Sequence, residues 1–121
     1  MKSTIKLFSI IAVLTAFLMA SCNKDDNSPK PVADFDQTFY YSTLQDTFYM
    51  GNDTVFFNNL STNADTYLWT FSDNTTSTER NPKKNFIYTG SSEFTDFTIT
   101  LTATKNGKSS TKTKTIVGWW D

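Results

Sequence analysis

The chain has 121 residues and a formal net charge of −1, which leaves room for one domain and no basic stripe to neutralise phosphates. Nucleic acid is therefore not an expected partner. With no His and a single Cys, Ser-His-Asp and Cys-His nucleophile systems, His-ligated or Cys-rich metal sites and an intramolecular disulfide are all excluded. No catalytic residue, metal or cofactor is expected; an enzyme would have to work with carboxylates, Lys and Tyr.

At the start of the chain, Lys2 and Lys6 precede an apolar run from Leu7 to Met19, 13 residues long, against roughly 20 for a membrane-spanning helix. A basic start, a short apolar centre and small residues after it describe a cleaved secretory signal peptide over residues 1–21. The junction Leu18-Met19-Ala20-Ser21-Cys22 resembles the bacterial lipobox, with Met19 where Leu is usual. That resemblance implies acylation of Cys22; the plainer reading is an ordinary signal peptide followed by an incidental Cys. Acylation accounts for a lone thiol in an exported protein, where a free Cys is reactive. One acyl chain, at about 0.8 kcal/mol per buried methylene, binds membranes only marginally, whereas two or three hold a protein stably.

Residues 22–31 are polar with two prolines and no further apolar residue, so they are predicted to form a flexible tether. Within it, Lys24-Asp25-Asp26 resembles an export signal of some Gram-negative lipoproteins. The resemblance implies an outer-membrane protein facing the exterior, with the membrane as one partner through the acyl chains. The alternative is a solvated linker whose charges carry no address.

Residues 32–121 are expected to be a domain of short strands and polar turns. Aromatics make up 16% of the chain, Gly is scarce at four residues and Thr is frequent, a composition that suits pleated, half-buried surfaces. Ala33 and Phe35 alternate as an edge strand, and Thr38 to Tyr49 supplies a strand or hairpin. After the turn signal Gly51-Asn52-Asp53, Val55 and Phe57 share one face. Tyr67-Leu68-Trp69-Thr70-Phe71-Ser72-Asp73-Asn74 is the central strand and its turn, with Trp69 as the largest core residue. Thr75 to Lys84 is polar and irregular, and Phe86 and Tyr88 then alternate. Phe97, Ile99, Leu101 and Ala103 interleave with Thr in the clearest strand of all. Asn106-Gly107 turns into the returning strand Thr111 to Val117, because both residues tolerate positive φ. About seven strands at this spacing describe an all-β sandwich.

Taken in order, Ala33-x-Phe35, Val55-x-Phe57-x-Asn59-x-Ser61, Tyr67-x-Trp69-x-Phe71-Ser-Asp73-Asn, Asn81-Pro82 and Phe97-x-Ile99-x-Leu101 resemble a PKD domain (the polycystic kidney disease repeat). That resemblance implies an immunoglobulin-like β-sandwich and a role in protein or carbohydrate interaction, as an accessory or spacer module. Ser72 and Asn74 replace two hallmark glycines; Asn accepts the left-handed region at modest cost and Ser at a higher one. Lys84 stands where the family often has His, Phe86 where it has Tyr, and Ser91 to Asp96 lengthen the segment before Phe97.

Tyr67, Trp69 and Phe71 are expected to build the core, and Asp73 to accept hydrogen bonds from turn amides. Asp73 as a Ca²⁺ ligand would need six to eight oxygens, which no spaced acidic loop supplies. Trp119 and Trp120, and likewise Tyr40 and Tyr41, are candidate binding aromatics. Neighbours in a strand face opposite ways, so one Trp would cap the core and the other stack on a sugar ring or a partner's aromatic. The alternative is that these residues only seal an end of the sandwich. The acids Asp65, Glu79, Glu93 and Asp96 lie in separate loops and form no convincing acid–base pair. Asn52-Asp53-Thr54, Asn59-Leu60-Ser61 and Asn74-Thr75-Thr76 match the N-glycosylation pattern, and Asp53-Thr54-Val55 resembles a bacterial O-glycosylation site. Three functions follow: a lipid-anchored interaction or spacer module, a dedicated glycan-binding lipoprotein of a polysaccharide-utilisation system, and a carboxylate-dependent hydrolase.

Overall fold

The computed structural model describes residues 27–51, 53–87, 90 and 92–120. The expected signal peptide, Cys22 and the Lys24-Asp25-Asp26 triplet lie outside the described residues. Among the described residues eight strands follow in order: β1 (Phe35–Phe39), β2 (Thr47–Tyr49), β3 (Val55–Asn59), β4 (Thr66–Phe71), β5 (Thr76–Ser77), β6 (Lys83–Lys84), β7 (Phe94–Lys105) and β8 (Lys108–Trp119). They form two sheets, β1-β3-β6 and β2-β8-β7-β4-β5. Every pairing is antiparallel except β2 with β8, which is parallel. The expected all-β sandwich is therefore present.

Alternation decides the faces. In β7, Phe97, Ile99, Leu101 and Ala103 are buried, as are Trp69 and Phe71 in β4 and Val55 and Phe57 in β3. The two sheets bury these faces against each other, because alternate side chains share a face. Trp69 is fully buried, with Phe35 edge-on at 5.1 Å and Phe57 at 5.5 Å. Its indole N–H donates to the Glu79 carbonyl at 2.9 Å, which removes the cost of burying that donor. Tyr67 is half-buried and packs against this cluster from outside. At the open side of the sandwich, Lys112 and Lys114 of β8 reach Asp34 at 4.0 Å and Asp36 at 3.0 Å.

Three local expectations change. Phe86 is buried but belongs to no strand, whereas the polar stretch before it supplies both β5 and β6. Residues 94–96, part of the lengthened segment, extend β7 and pair with β8, Phe94 opposite Trp119. Among the described non-glycine residues only Asn63, Asn74 and Asn106 have positive φ; Ser72 therefore takes an ordinary conformation and carries no left-handed strain.

Part of the stretch assigned to the tether is tied to the sandwich. The Ser28 carbonyl accepts from Lys108 Nζ at 2.7 Å and the Pro29 carbonyl from Asn63 Nδ2 at 2.6 Å. Pro31 is buried, and Val32 bridges Thr62. The chain thus joins the domain beside the β7–β8 hairpin.

Candidate functional site

Asp73 closes the turn after β4. Its Oδ1 accepts from the Thr75 amide at 3.1 Å and the Thr75 hydroxyl at 2.6 Å, and its Oδ2 lies 2.7 Å from Lys84 Nζ. Lys84 also sits over the rings of Phe71 at 5.0 Å and Phe86 at 5.3 Å. Burial works against the charged form of Asp73. The hydrogen bonds from Lys84 and Thr75, together with the Lys84 charge, outweigh it and hold the carboxyl below its ordinary value of 3.8. An ionised, ion-paired Asp73 has no proton to give as a general acid, although it shares an open groove of about 500 Å³ with Asp96. Among the described residues, no group of three or more His, Cys, Asp or Glu side chains could hold a metal ion.

The terminal Trp pair lies at the C-terminal end of β8. Tyr49 of β2 is opposite Trp119 of β8, and their rings meet edge to face at 4.7 Å. Trp120 stacks over Tyr49 at 6.1 Å, with a 17° angle between the rings, and lies against Gly51. Neither Trp joins the core cluster; β8 ends at Trp119, so strict alternation stops before Trp120 could turn inward. Tyr40 and Tyr41 follow β1, touch edge to face at 4.6 Å and are 67% and 69% exposed. Tyr41, Leu44, Tyr49 and Trp119, with the hydroxyl residues Ser42 and Thr43, line one open groove of about 310 Å³.

Asp53 holds this groove in shape from beneath. It is fully buried; its Oδ1 accepts the Tyr41 amide at 2.9 Å and its Oδ2 the Ser42 amide at 3.2 Å. Its own amide donates to the Tyr49 carbonyl at 3.0 Å. Sequence reasoning took Asp53 only as a turn or glycosylation residue and passed over Tyr49 and Leu44. The usable signal was an acid flanked by turn residues with a hydroxyl-rich loop ten residues before it, too weak to act on without coordinates. Of the glycosylation candidates, Asn52 lies outside the described residues. Asn59 is buried with its Oδ1 accepting the Ser61 amide, while Asn74 is exposed.

Two packed sheets with a parallel β2–β8 edge, a Trp-centred core and a capped β4 turn make this an immunoglobulin-like sandwich of the class that serves as an interaction module. The chain belongs to the PKD domain family, whose profile matches residues 38–117. Among solved structures, it is similar to the PKD1 domain from the Vibrio cholerae metalloprotease PrtV, with 26% identity and a TM-score of 0.54 over 74% of this chain and 98% of that one. It also resembles the PKD1 domain of Vibrio anguillarum Epp, with 22% identity and a TM-score of 0.58 over 78% and 100% of the two chains. No curated protein matches the chain. Tyr41 and Tyr49 fall inside the matched stretch; Trp119 and Trp120 fall beyond it.

Proposed function

We propose that this protein is a lipid-anchored PKD module of the outer membrane that faces the exterior and presents its aromatic groove to a protein or polysaccharide. The observation that carries the reading is the polarity of β8. Lys108, at its start, holds Ser28 of the tether, and Trp119, at its end, lines the groove. Twelve residues of strand at about 3.3 Å each separate the two by roughly 35 Å. Acyl chains on Cys22 would hold one pole at the membrane, and the sandwich would carry the groove to the other. Among the described residues no helix is long and apolar enough to cross a membrane; attachment in this reading rests on Cys22.

Metabolic labelling with a fatty-acid analogue tests the anchor. The wild-type chain is expected to take up label and Cys22→Ser to take up none, and an unlabelled wild-type chain would overturn lipidation. Protease shaving of intact cells tests the address: the domain is expected to be removed, and replacing Lys24, Asp25 and Asp26 by Ala to protect it. Full protection of the unaltered domain would sink surface display.

The second reading, a dedicated glycan-binding lipoprotein, gains from the convergence of Tyr41 and Trp119 on one groove, since they come from opposite ends of the domain sequence. The hydrolase reading gains nothing comparable, because Asp73 is committed to Lys84 and Thr75.

A further inference from the structure

The chemistry of the groove discriminates among partners. We propose that it binds a neutral pyranose ring of an oligo- or polysaccharide, stacked against Tyr49 and Trp119 and flanked by Tyr41. This rests on the interaction-module reading above and names its ligand class.

Rigid aromatic surface comes first. Tyr49 and Trp119 meet at an interplanar angle of 81°, so their rings form a corner with two walls, and Trp120 buttresses Tyr49. Tyr41 is steadied by the Tyr40 ring and by the hydrogen bond that its backbone amide donates to Asp53. The C–H faces of a pyranose carry partial positive charge and suit the negative face of an aromatic ring. Rings already held in place lose little freedom on binding.

Polar groups come second. Thr43 and the phenols of Tyr41 and Tyr49 supply neutral hydroxyls, the Ser42 hydroxyl being committed to the Thr47 carbonyl and the Leu44 amide, and among the described residues no Lys or Arg lines the groove. The Asp53 carboxyl is buried, with both oxygens already accepting amides. A uronate or sulfated sugar would find no cation to pair with, whereas a neutral sugar loses nothing by that.

An extended peptide is the competing occupant, and its usual mode is strand addition at a sheet edge. Here β2 is the edge, and its acceptors are taken. The Thr47 carbonyl accepts the Ser42 hydroxyl at 2.6 Å, and the Tyr49 carbonyl accepts the Asp53 amide. What stays accessible is ring surface and side-chain hydroxyl. The volume, about 310 Å³, is at the low end for a ligand site and suits one or two rings of a longer chain passing across an open groove.

The full chain in detergent micelles, titrated with neutral oligosaccharides of glucose, mannose, galactose and xylose and with oligouronates as the charged comparator, provides the test, read by Trp emission. Trp69 is buried and should stay silent. At least one neutral series is expected to give a saturable change and the oligouronates none. Trp119→Ala and Tyr41→Ala should each weaken binding by about tenfold, the scale of a hot-spot aromatic. Because Tyr41 is exposed on a loop, Tyr41→Ala should leave the thermal transition in place, which separates lost binding from lost folding. Preference for oligouronates, unaltered binding by both variants, or silence with every neutral series would overturn the proposal. A photo-crosslinker at Thr43 that captures a protein on intact cells, together with that silence, would reject the sugar and keep the interaction module.

Discussion

Asp73 and Lys84 show how much one residue pair can hold. Lys84 ties the β4 turn to β6 and spreads its charge over two core rings. Since the folded Asp73 carboxyl lies below its ordinary value of 3.8, its stabilisation is fully present above that pH and is lost as the pH falls through the folded value. The Asp73 side chain is 35% exposed, so solvent screening keeps the effect small. Urea midpoints for Asp73→Asn should therefore fall below wild type near pH 7 and converge with it once the pH is below the folded value. A gap that persists undiminished in acid would show that the carboxylate's charge is not what matters. The Asx turn at Asp73 was legible in the sequence, because such bonds are local; Lys84 was noted only as a departure from the family, because its partners are set by packing.

At the scale of elements, the end of the β7–β8 ribbon supplies the Trp119 wall of the groove. Gly118 is its tightest point: a Cβ there would fall 2.5 Å from Met50 Cγ and 2.8 Å from Phe97 Cε2. Met50 can shift, but the Phe97 ring is wedged between Phe48 and Phe86. Gly118→Ala should therefore cost about 1–3 kcal/mol, measured by chemical denaturation, and should disturb Trp119 next to it. Wild-type stability in that variant would mean that the core yields more than these contacts suggest. The alternation of β7 and the Asn106-Gly107 turn were legible because both are local signals. The parallel pairing of β2 with β8 was not, since it joins residues about 70 apart in sequence, and the two-residue strands β5 and β6 are too short to show any period.

For the whole molecule, the consequence is a division between poles. Ser28 and Pro29 meet the sandwich at Lys108 and Asn63, and the aromatic groove lies at the far end of β8. A bulky maleimide adduct on Leu44→Cys, beside the groove, is expected to block binding. The same adduct on Asn106→Cys, in the β7–β8 turn, should leave it intact, with both read in the emission titration. Blockage from Asn106 alone would put recognition at the wrong end.

The sequence by itself determined the sandwich, the inward faces of β3, β4 and β7, and the place of Trp69 and Phe71 in the core. Those follow from side chains alternating along a strand, a pattern each segment carries within itself. Tertiary structure alone decided that Tyr41, Tyr49 and Trp119 share a groove, that Asp53 is buried beneath it, and that Ser28 to Pro31 dock on the domain. Each of these depends on which distant segments pair and in what register, and that is settled by packing the two sheets together rather than by any local run of residues.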